Sequence, residues 1–129
     1  MRRFVLDTSV LIGSADPGEL EGAISAASIA ELHFGVLVAG DGDERALRAQ
    51  RLGVIEATFE PIEVDAAVAR EWGRLAAAVV ERGGQPRRRA IDLVIAATAN
   101  VCEAPLLTAD VSDLAIVDDL VRLVAEGMT

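Results

Sequence analysis

The stretch Phe4-Val5-Leu6-Asp7 places a carboxylate directly after a short apolar run. Such a run is typical of a strand that is buried on both faces of a parallel sheet. In α/β sheets of this kind, the carboxyl ends of the strands face the binding crevice. The sequence therefore predicts a strand that delivers Asp7 to a site, although Asp7 could also serve as the N-cap of the next helix. Thr8 and Ser9 are further candidates for that cap.

Two later apolar segments extend the predicted sheet. Leu106-Leu107-Thr108 follows Pro105 and indicates a strand that ends near Asp110, and residues 120–124 are a candidate edge strand. Residues 61–64 indicate another short strand or extended segment. Short strands that alternate with helices predict an α/β fold with a parallel sheet covered on both faces. We expect residues 1–129 to form a single domain.

The segments between the strands have helical patterns. Ser28 and Glu31 have the spacing of a capping box, which predicts a helix over residues 28–39. A polar-faced helix is expected over residues 44–57. Asp65 should cap a third helix, whose apolar stripe contains Val68, Trp72, Leu75 and Val79. Residues 90–99 are apolar on nearly every side, which is typical of a buried helix.

Composition restricts the possible classes of protein. The chain has 129 residues, 52% of them hydrophobic, and it should fold around a core. Its longest stretch without a charge, residues 93–102, is about half of what a membrane span needs. We expect a cytosolic protein without a membrane segment. All 12 basic residues are Arg, so receiver domains and haloacid-dehalogenase-like phosphatases, which use a Lys beside their Asp cluster, are disfavoured.

A few acidic residues stand out because they lie in apolar surroundings or after strands. Glu31 is either half of the capping box or a functional group. Asp92 interrupts an apolar helix, where a carboxylate is costly to bury unless something compensates its charge. Asp110 and Asp113 follow the strand at 106–108 and are each compatible with ordinary turn chemistry. Together with Asp7 they form a set of oxygen ligands that suits Mg²⁺ or Mn²⁺.

Other features are open to two interpretations. The run Arg87-Arg88-Arg89 lies just before Asp92 and either binds phosphates or forms a solvated loop. The net charge of −9 is unusual for a nucleic-acid binder. A metal site would account for part of it. The helix that carries Phe34, Val36, Leu37 and Val38 should pack mainly in the core, or else it forms an interface.

Four stretches, taken in order along the chain, resemble the PIN-domain ribonucleases and, within them, the VapC-like toxins of bacterial toxin–antitoxin pairs. No single stretch is specific, but their order and separation are. They are Val5-Leu6-Asp7-Thr8-Ser9-Val10-Leu11-Ile12, Ser28-Ile29-Ala30-Glu31-Leu32-His33-Phe34-Gly35, Ile91-Asp92-Leu93-Val94-Ile95-Ala96-Ala97-Thr98-Ala99 and Leu107-Thr108-Ala109-Asp110-Val111-Ser112-Asp113-Leu114.

The resemblance implies a three-layer PIN-like fold with a short central parallel sheet flanked by helices. It also implies an endoribonuclease that hydrolyses RNA with Mg²⁺ or Mn²⁺. The acidic residues it implies for catalysis are Asp7, Glu31, Asp92 and Asp110, and those implied for the metal are Asp7, Asp92, Asp110 and Asp113. Asp110 and Asp113 compete for the fourth acidic position of the family, and Asp110 ranks first. Substrate contacts are implied for Thr8, Ser9, Arg87, Arg88 and Arg89.

The resemblance further implies two protein partners, a cognate antitoxin and a second copy of the toxin in a homodimer, with a larger toxin–antitoxin assembly also compatible. Two other functions use the same residues differently. A Mg²⁺-dependent phosphatase would act on small phosphomonoesters, and a noncatalytic PIN-like module would bind RNA without cutting it.

Overall fold

A computed structural model describes residues 3–127 of the protein. It contains a three-stranded parallel sheet in the order β1-β2-β3, formed by Val5–Leu6, Leu106–Thr108 and Leu123–Ala125. The five α-helices are α1 (Thr8–Gly13), α2 (Ala26–Leu37), α3 (Gly42–Thr58), α4 (Ala66–Glu81) and α5 (Ala90–Val101). Short 3-10 helices cover Pro17–Glu19, Pro86–Arg89 and Val111–Val117. The predicted α/β fold with a short, fully parallel sheet is confirmed.

Helices cover both faces of this sheet. Successive side chains of a strand point to opposite faces. Val5 and Leu106 accordingly pack in the hydrophobic cluster formed by α4, α5 and the last 3-10 helix. Leu6 and Leu107 pack in a second cluster, formed by α1, α2 and α3. The three-layer arrangement follows directly from this alternation.

The helix starts differ from two of the sequence predictions. Ser25, not Ser28, is the N-cap of α2, and its side chain accepts a hydrogen bond from the backbone N–H of Ala27. Ser28 and Glu31 therefore both lie inside the helix, and the predicted capping box is wrong. At α1 the N-cap position belongs to Asp7, so the prediction that Thr8 or Ser9 caps this helix is also wrong.

The remaining elements lie close to their predicted positions. Asp65 caps α4 through the backbone N–H of Val68, as expected. The segment predicted at 61–64 contributes only an isolated bridge between Ile62 and Ser25. The final edge strand is shifted slightly towards the C-terminus. No helix within residues 3–127 is both long and apolar enough to cross a membrane.

Candidate active site

Asp7 lies at the carboxyl edge of the sheet because of the register between the first two strands. Leu6 pairs with Leu107, which places Thr108 beside Asp7. Asp7 is only 9% exposed. Although it occupies the N-cap position of α1, its side chain makes no capping hydrogen bond. The alternative role of the Asp7 side chain as a helix cap is therefore wrong, and its carboxylate is available for another function.

Hydroxyl groups hold the Asp7 carboxylate in place. Ser9 Oγ donates to Asp7 Oδ2 at 2.5 Å, and Thr108 Oγ1 donates to the same oxygen at 3.1 Å. Ser9 Oγ in turn accepts from the backbone N–H of Ala109 at 3.1 Å. Thr108 Oγ1 accepts from the backbone N–H of Asp110 at 3.2 Å. The loop after β2 is thus tied to the carboxylate that follows β1.

Glu31 reaches the same region from α2. Its Oε1 accepts a hydrogen bond of 2.6 Å from Thr8 Oγ1, which also lies 2.9 Å from the Oγ of Ser28. Thr8 and Ser28 are both buried. In this arrangement Thr8 orients Glu31 in the way that Ser9 orients Asp7. The contact of Ser28 with Thr8 is not predicted from the sequence, because the capping-box pattern is a simpler explanation for a Ser at that position.

Asp92 shows most clearly that the carboxylates converge. It lies in the first turn of α5, and its pKa is raised from 3.8 to about 6. Burial is the largest cause, followed by the negative charges of Asp7, Glu31 and Asp113, while Arg89 acts in the opposite direction. A carboxylate whose neighbours are other carboxylates resists ionisation. The helix N-terminus does not compensate this charge fully.

Asp110 and Asp113 have different environments. The carboxylate of Asp110 is the N-cap of the last 3-10 helix, where its Oδ1 accepts from the Oγ of Ser112 at 2.5 Å and from its backbone N–H at 2.9 Å. The hydroxyl of Ser112 is the main cause of a lowered pKa of Asp110. Asp113, one turn further, is one of the residues that raise the pKa of Asp92, after burial and the charges of Asp7 and Glu31. The acidic cluster brought together by the fold is therefore Asp7, Glu31, Asp92 and Asp113.

The arginine run forms the 3-10 helix that precedes α5. All three arginines are exposed, but the Arg89 side chain also turns towards the cluster. Its Nη1 lies 3.4 Å from Asp113 Oδ1 and 3.8 Å from Asp92 Oδ2. The indole N–H of Trp72 donates to the backbone carbonyl of Ala90 at 3.0 Å and fixes this junction. The sequence pattern of α4 predicts only a core role for Trp72.

The acidic cluster fits a divalent cation in charge and in donor type. Carboxylate oxygens are hard ligands that suit Mg²⁺ and Mn²⁺. Burial, and then the charges of neighbouring carboxylates, raise the pKa of Asp92, so a cation there would favour its ionised form. Within residues 3–127, no three His, Cys, Asp or Glu side chains stand close enough to hold one ion as they are placed. Binding therefore requires some of these carboxylates to turn towards the ion.

The helix that was expected in the core instead exposes much of its apolar surface. Phe34, Leu37 and Val38 are 67%, 74% and 55% exposed, so the prediction that they pack in the core is wrong. Ile12 and Leu47 extend the exposed apolar surface onto α1 and α3. We call these five residues the α2 surface. It borders a cavity of about 380 Å³, which is also lined by Glu31.

Known proteins resemble this chain along nearly its whole length. The sequence signature of the PIN domain matches residues 4–120. The chain is 39% identical to Ribonuclease VapC5 of Mycobacterium tuberculosis, with 88% of this chain and 87% of that protein covered. It is 35% identical to Ribonuclease VapC4 of the same organism, with 93% and 95% covered.

Solved structures extend the comparison to the fold. A structure of VapBC-5 from Mycobacterium tuberculosis, a member of the VapBC family of toxin–antitoxin systems, superposes with a TM-score of 0.75 at 36% identity. The match covers 97% of this chain and 98% of that chain. VapBC2 from Rickettsia felis gives the same TM-score of 0.75 at 20% identity, covering 95% and 97%, which is a likeness of fold alone. The chain therefore belongs to the PIN-domain family and, within it, to the VapC group.

Proposed function

We propose that this protein is an endoribonuclease that hydrolyses RNA phosphodiesters with the help of Mg²⁺ or Mn²⁺, and that it is the toxin of a toxin–antitoxin pair. One observation carries the proposal. Asp7, Glu31, Asp92 and Asp113 come from four separate parts of the chain, and the pKa of Asp92 is raised by its burial and then by the negative charges of the other three. The names of the related ribonucleases support the choice of RNA as substrate.

The residues of this chain would divide the work as follows. Asp7, Asp92 and Asp113 would hold the cation, with Asp110 as the other predicted ligand. A bound divalent cation would supply neutralising charge at the attacked phosphate and lower the pKa of a water molecule. Ser9 and Thr108 keep the Asp7 carboxylate in one orientation, which reduces the side-chain entropy that Asp7 would lose when it binds the cation. Their own hydrogen bonds to the loop after β2 make this orientation part of the fold.

Glu31 would contact the attacking water molecule and would not bind the cation. It is held by the buried hydroxyl of Thr8, and a carboxylate so fixed can orient a nucleophilic water and accept its proton. Arg87 and Arg88 are exposed and precede α5, the helix that carries Asp92, and there their guanidinium groups would pair with phosphate oxygens of the RNA. The hydroxyls of Thr8 and Ser9 donate hydrogen bonds to Glu31 and Asp7. A direct contact of either hydroxyl with the substrate stays a prediction.

The first prediction concerns cleavage itself. Purified protein free of antitoxin should cut total cellular RNA at discrete positions in Mg²⁺ or Mn²⁺, and chelator should stop the reaction. Asp7→Asn should reduce the rate by on the order of 10²–10⁴-fold, because it removes a negative charge at the reacting centre. Gel electrophoresis of the products measures both effects.

Two controls separate the alternatives. Hydrolysis of a small phosphomonoester such as p-nitrophenyl phosphate, without RNA cleavage, would favour the phosphatase. RNA binding without cleavage, in either metal and by protein shown to be folded, would favour the noncatalytic module. The Val80→Ser variant, which changes an exposed side chain of α4 that is not part of the acidic cluster, should cut RNA like the unchanged protein.

We also propose that the α2 surface is a protein contact, made with a cognate antitoxin or with a second copy of this chain in a homodimer. Exposed apolar patches of this kind mark interaction sites in soluble proteins. The related VapBC-5 structure is of a member of a toxin–antitoxin family, which supports an antitoxin partner here. The cavity beside Glu31 would allow a partner on this surface to reach the acidic cluster.

The second prediction tests this contact. Phe34→Ser combined with Leu37→Ser should lower the mass measured by light scattering, either of the chain alone or of its complex with a co-expressed antitoxin. The reason is that burial of two large side chains contributes roughly 1.5–3 kcal/mol each. Val80→Ser is the matched control, because Val80 is 59% exposed on α4. Unchanged masses in both samples would exclude the α2 surface from both contacts.

A further inference from the structure

Arg89 behaves differently from its two neighbours in the arginine run. Its Nη1 contacts carboxylate oxygens of both Asp92 and Asp113, at 3.8 Å and 3.4 Å. Within residues 3–127, it is the only basic residue whose side chain lies within 4.0 Å of a carboxylate of the acidic cluster. A side chain of this protein therefore already supplies positive charge to two of the proposed metal ligands.

The guanidinium of Arg89 is held weakly, whereas the backbone next to Arg89 is fixed. Both distances are longer than the roughly 2.7–2.9 Å of a strong charge-assisted hydrogen bond, and the Arg89 side chain is 44% exposed. Exposed pairs of this kind are held weakly. The backbone beside it is anchored by the hydrogen bond from Trp72 to the carbonyl of Ala90. The guanidinium can therefore leave the carboxylates while its point of attachment stays beside the site.

A guanidinium and a divalent cation cannot both neutralise the same two carboxylates at low cost. Two positive charges a few ångströms apart repel each other strongly near a partly buried site. When one binds, the affinity for the other must fall by the same factor, because coupling between two binding events is reciprocal. A displaced guanidinium at this position would lie at the entrance to the site, where the phosphates of an RNA strand would pass.

We propose that Arg89 is the internal counterion of the acidic cluster, that the divalent cation displaces it, and that the released guanidinium then binds a phosphate of the RNA. This inference rests on the proposed function. The counterion role distinguishes Arg89 from Arg87 and Arg88, which are proposed only to bind phosphates. It also makes metal binding a step that prepares the site for the substrate, since a planar guanidinium pairs well with two phosphate oxygens.

The third prediction follows from this competition. Arg89→Gln should bind Mn²⁺ more tightly than the unchanged protein by roughly 3–10-fold, as measured by isothermal titration calorimetry without RNA. Arg88→Gln removes the same charge nearby without removing a contact to Asp92 or Asp113, so its change in Mn²⁺ affinity should be smaller. At saturating Mn²⁺, the KM of Arg89→Gln for RNA should rise, because the phosphate contact is lost. Circular dichroism should show that both variants are folded.

The outcomes separate this inference from the proposed function. If the unchanged protein binds Mn²⁺ and cuts RNA, but Arg89→Gln has the Mn²⁺ affinity of Arg88→Gln, the counterion role is wrong and the ribonuclease proposal stands. A weaker Mn²⁺ affinity in Arg89→Gln would also overturn the counterion role. If the unchanged protein neither binds Mn²⁺ nor cuts RNA, both proposals fail together.

Discussion

Replacement of Asp92 by Asn should remove RNA cleavage and at the same time stabilise the metal-free protein. The loss of activity should be on the order of 10²–10⁴-fold, because a charged group at the reacting centre is lost. The gain in stability has an electrostatic origin. Burial and three neighbouring carboxylates raise the pKa of Asp92 to about 6, so its ionised form is unfavourable in the folded state. A neutral Asn avoids that cost.

The gain should depend on pH in a defined direction. The folded-state pKa of Asp92 lies above the ordinary value of 3.8, so the folded protein holds the proton more tightly than the unfolded chain does. The stability associated with protonated Asp92 is therefore fully present below about pH 3.8 and is lost as the pH rises through about 6. At pH 7 the variant should be more stable by roughly 1–3 kcal/mol, after allowance for the partial exposure of the side chain.

Chemical denaturation in the presence of chelator, at several pH values between 4 and 7, measures this difference. The advantage of Asp92→Asn in the free energy of unfolding should shrink steadily as the pH falls. Asp110→Asn is a suitable control, because the pKa of Asp110 is lowered by the hydroxyl of Ser112 and its ionised form is favoured in the fold. That control should show no gain. Equal or lower stability of Asp92→Asn at pH 7 would contradict an uncompensated charge at Asp92.

The second large effect should distinguish the two candidates for the fourth acidic position. Asp113→Asn should reduce RNA cleavage by at least roughly 10–100-fold, because a change to the partners of metal ligands already costs that much and Asp113 is proposed as a ligand itself. We expect Asp113 to be the fourth acidic residue because its charge contributes to the raised pKa of Asp92 and because Arg89 contacts both carboxylates. Asp110→Asn should have a much smaller effect, since its carboxylate is engaged as the cap of a 3-10 helix.

Initial cleavage rates at saturating Mn²⁺, with all variants at equal folded concentration, decide between the two residues. The comparison is well matched because both changes remove one negative charge within the same four-residue segment. A larger loss in Asp110→Asn than in Asp113→Asn would restore the ranking suggested by the sequence. It would also mean that Asp110 leaves its helix cap when the metal binds.

Much of the fold could be predicted from local patterns. The apolar runs before Asp7 and at residues 106–108, and the apolar helix around Asp92, each carry their own signal of burial. Helix starts were less predictable. Ser28 and Glu31 satisfy the capping-box pattern, yet Ser25 starts the helix three residues earlier. Ser25 and Ser28 could each start the helix by their local sequence, and the packing of α2 against the rest of the protein selects Ser25.

The same limit applies to surfaces and to charges. Phe34 and Leu37 look like core residues because hydrophobicity alone does not say which face of a helix is covered. Asp110 and Asp113 look equivalent in sequence because both follow the same strand. They differ in their neighbours, since Asp110 binds Ser112 whereas Asp113 lies beside Arg89, and the second contact forms only when the chain folds.

By itself, the sequence determined that this protein is an α/β domain with carboxylates after its strands, because apolar periodicity and the position of each acid relative to it are local properties. Only the tertiary structure decided which acids share one site, which hydroxyls hold them and that Arg89 faces them. Those relations depend on parallel pairing between strands about a hundred residues apart. This pairing places Thr108 beside Asp7, where the Thr108 hydroxyl donates a hydrogen bond to the Asp7 carboxylate. Distances of this kind do not exist until the chain has folded.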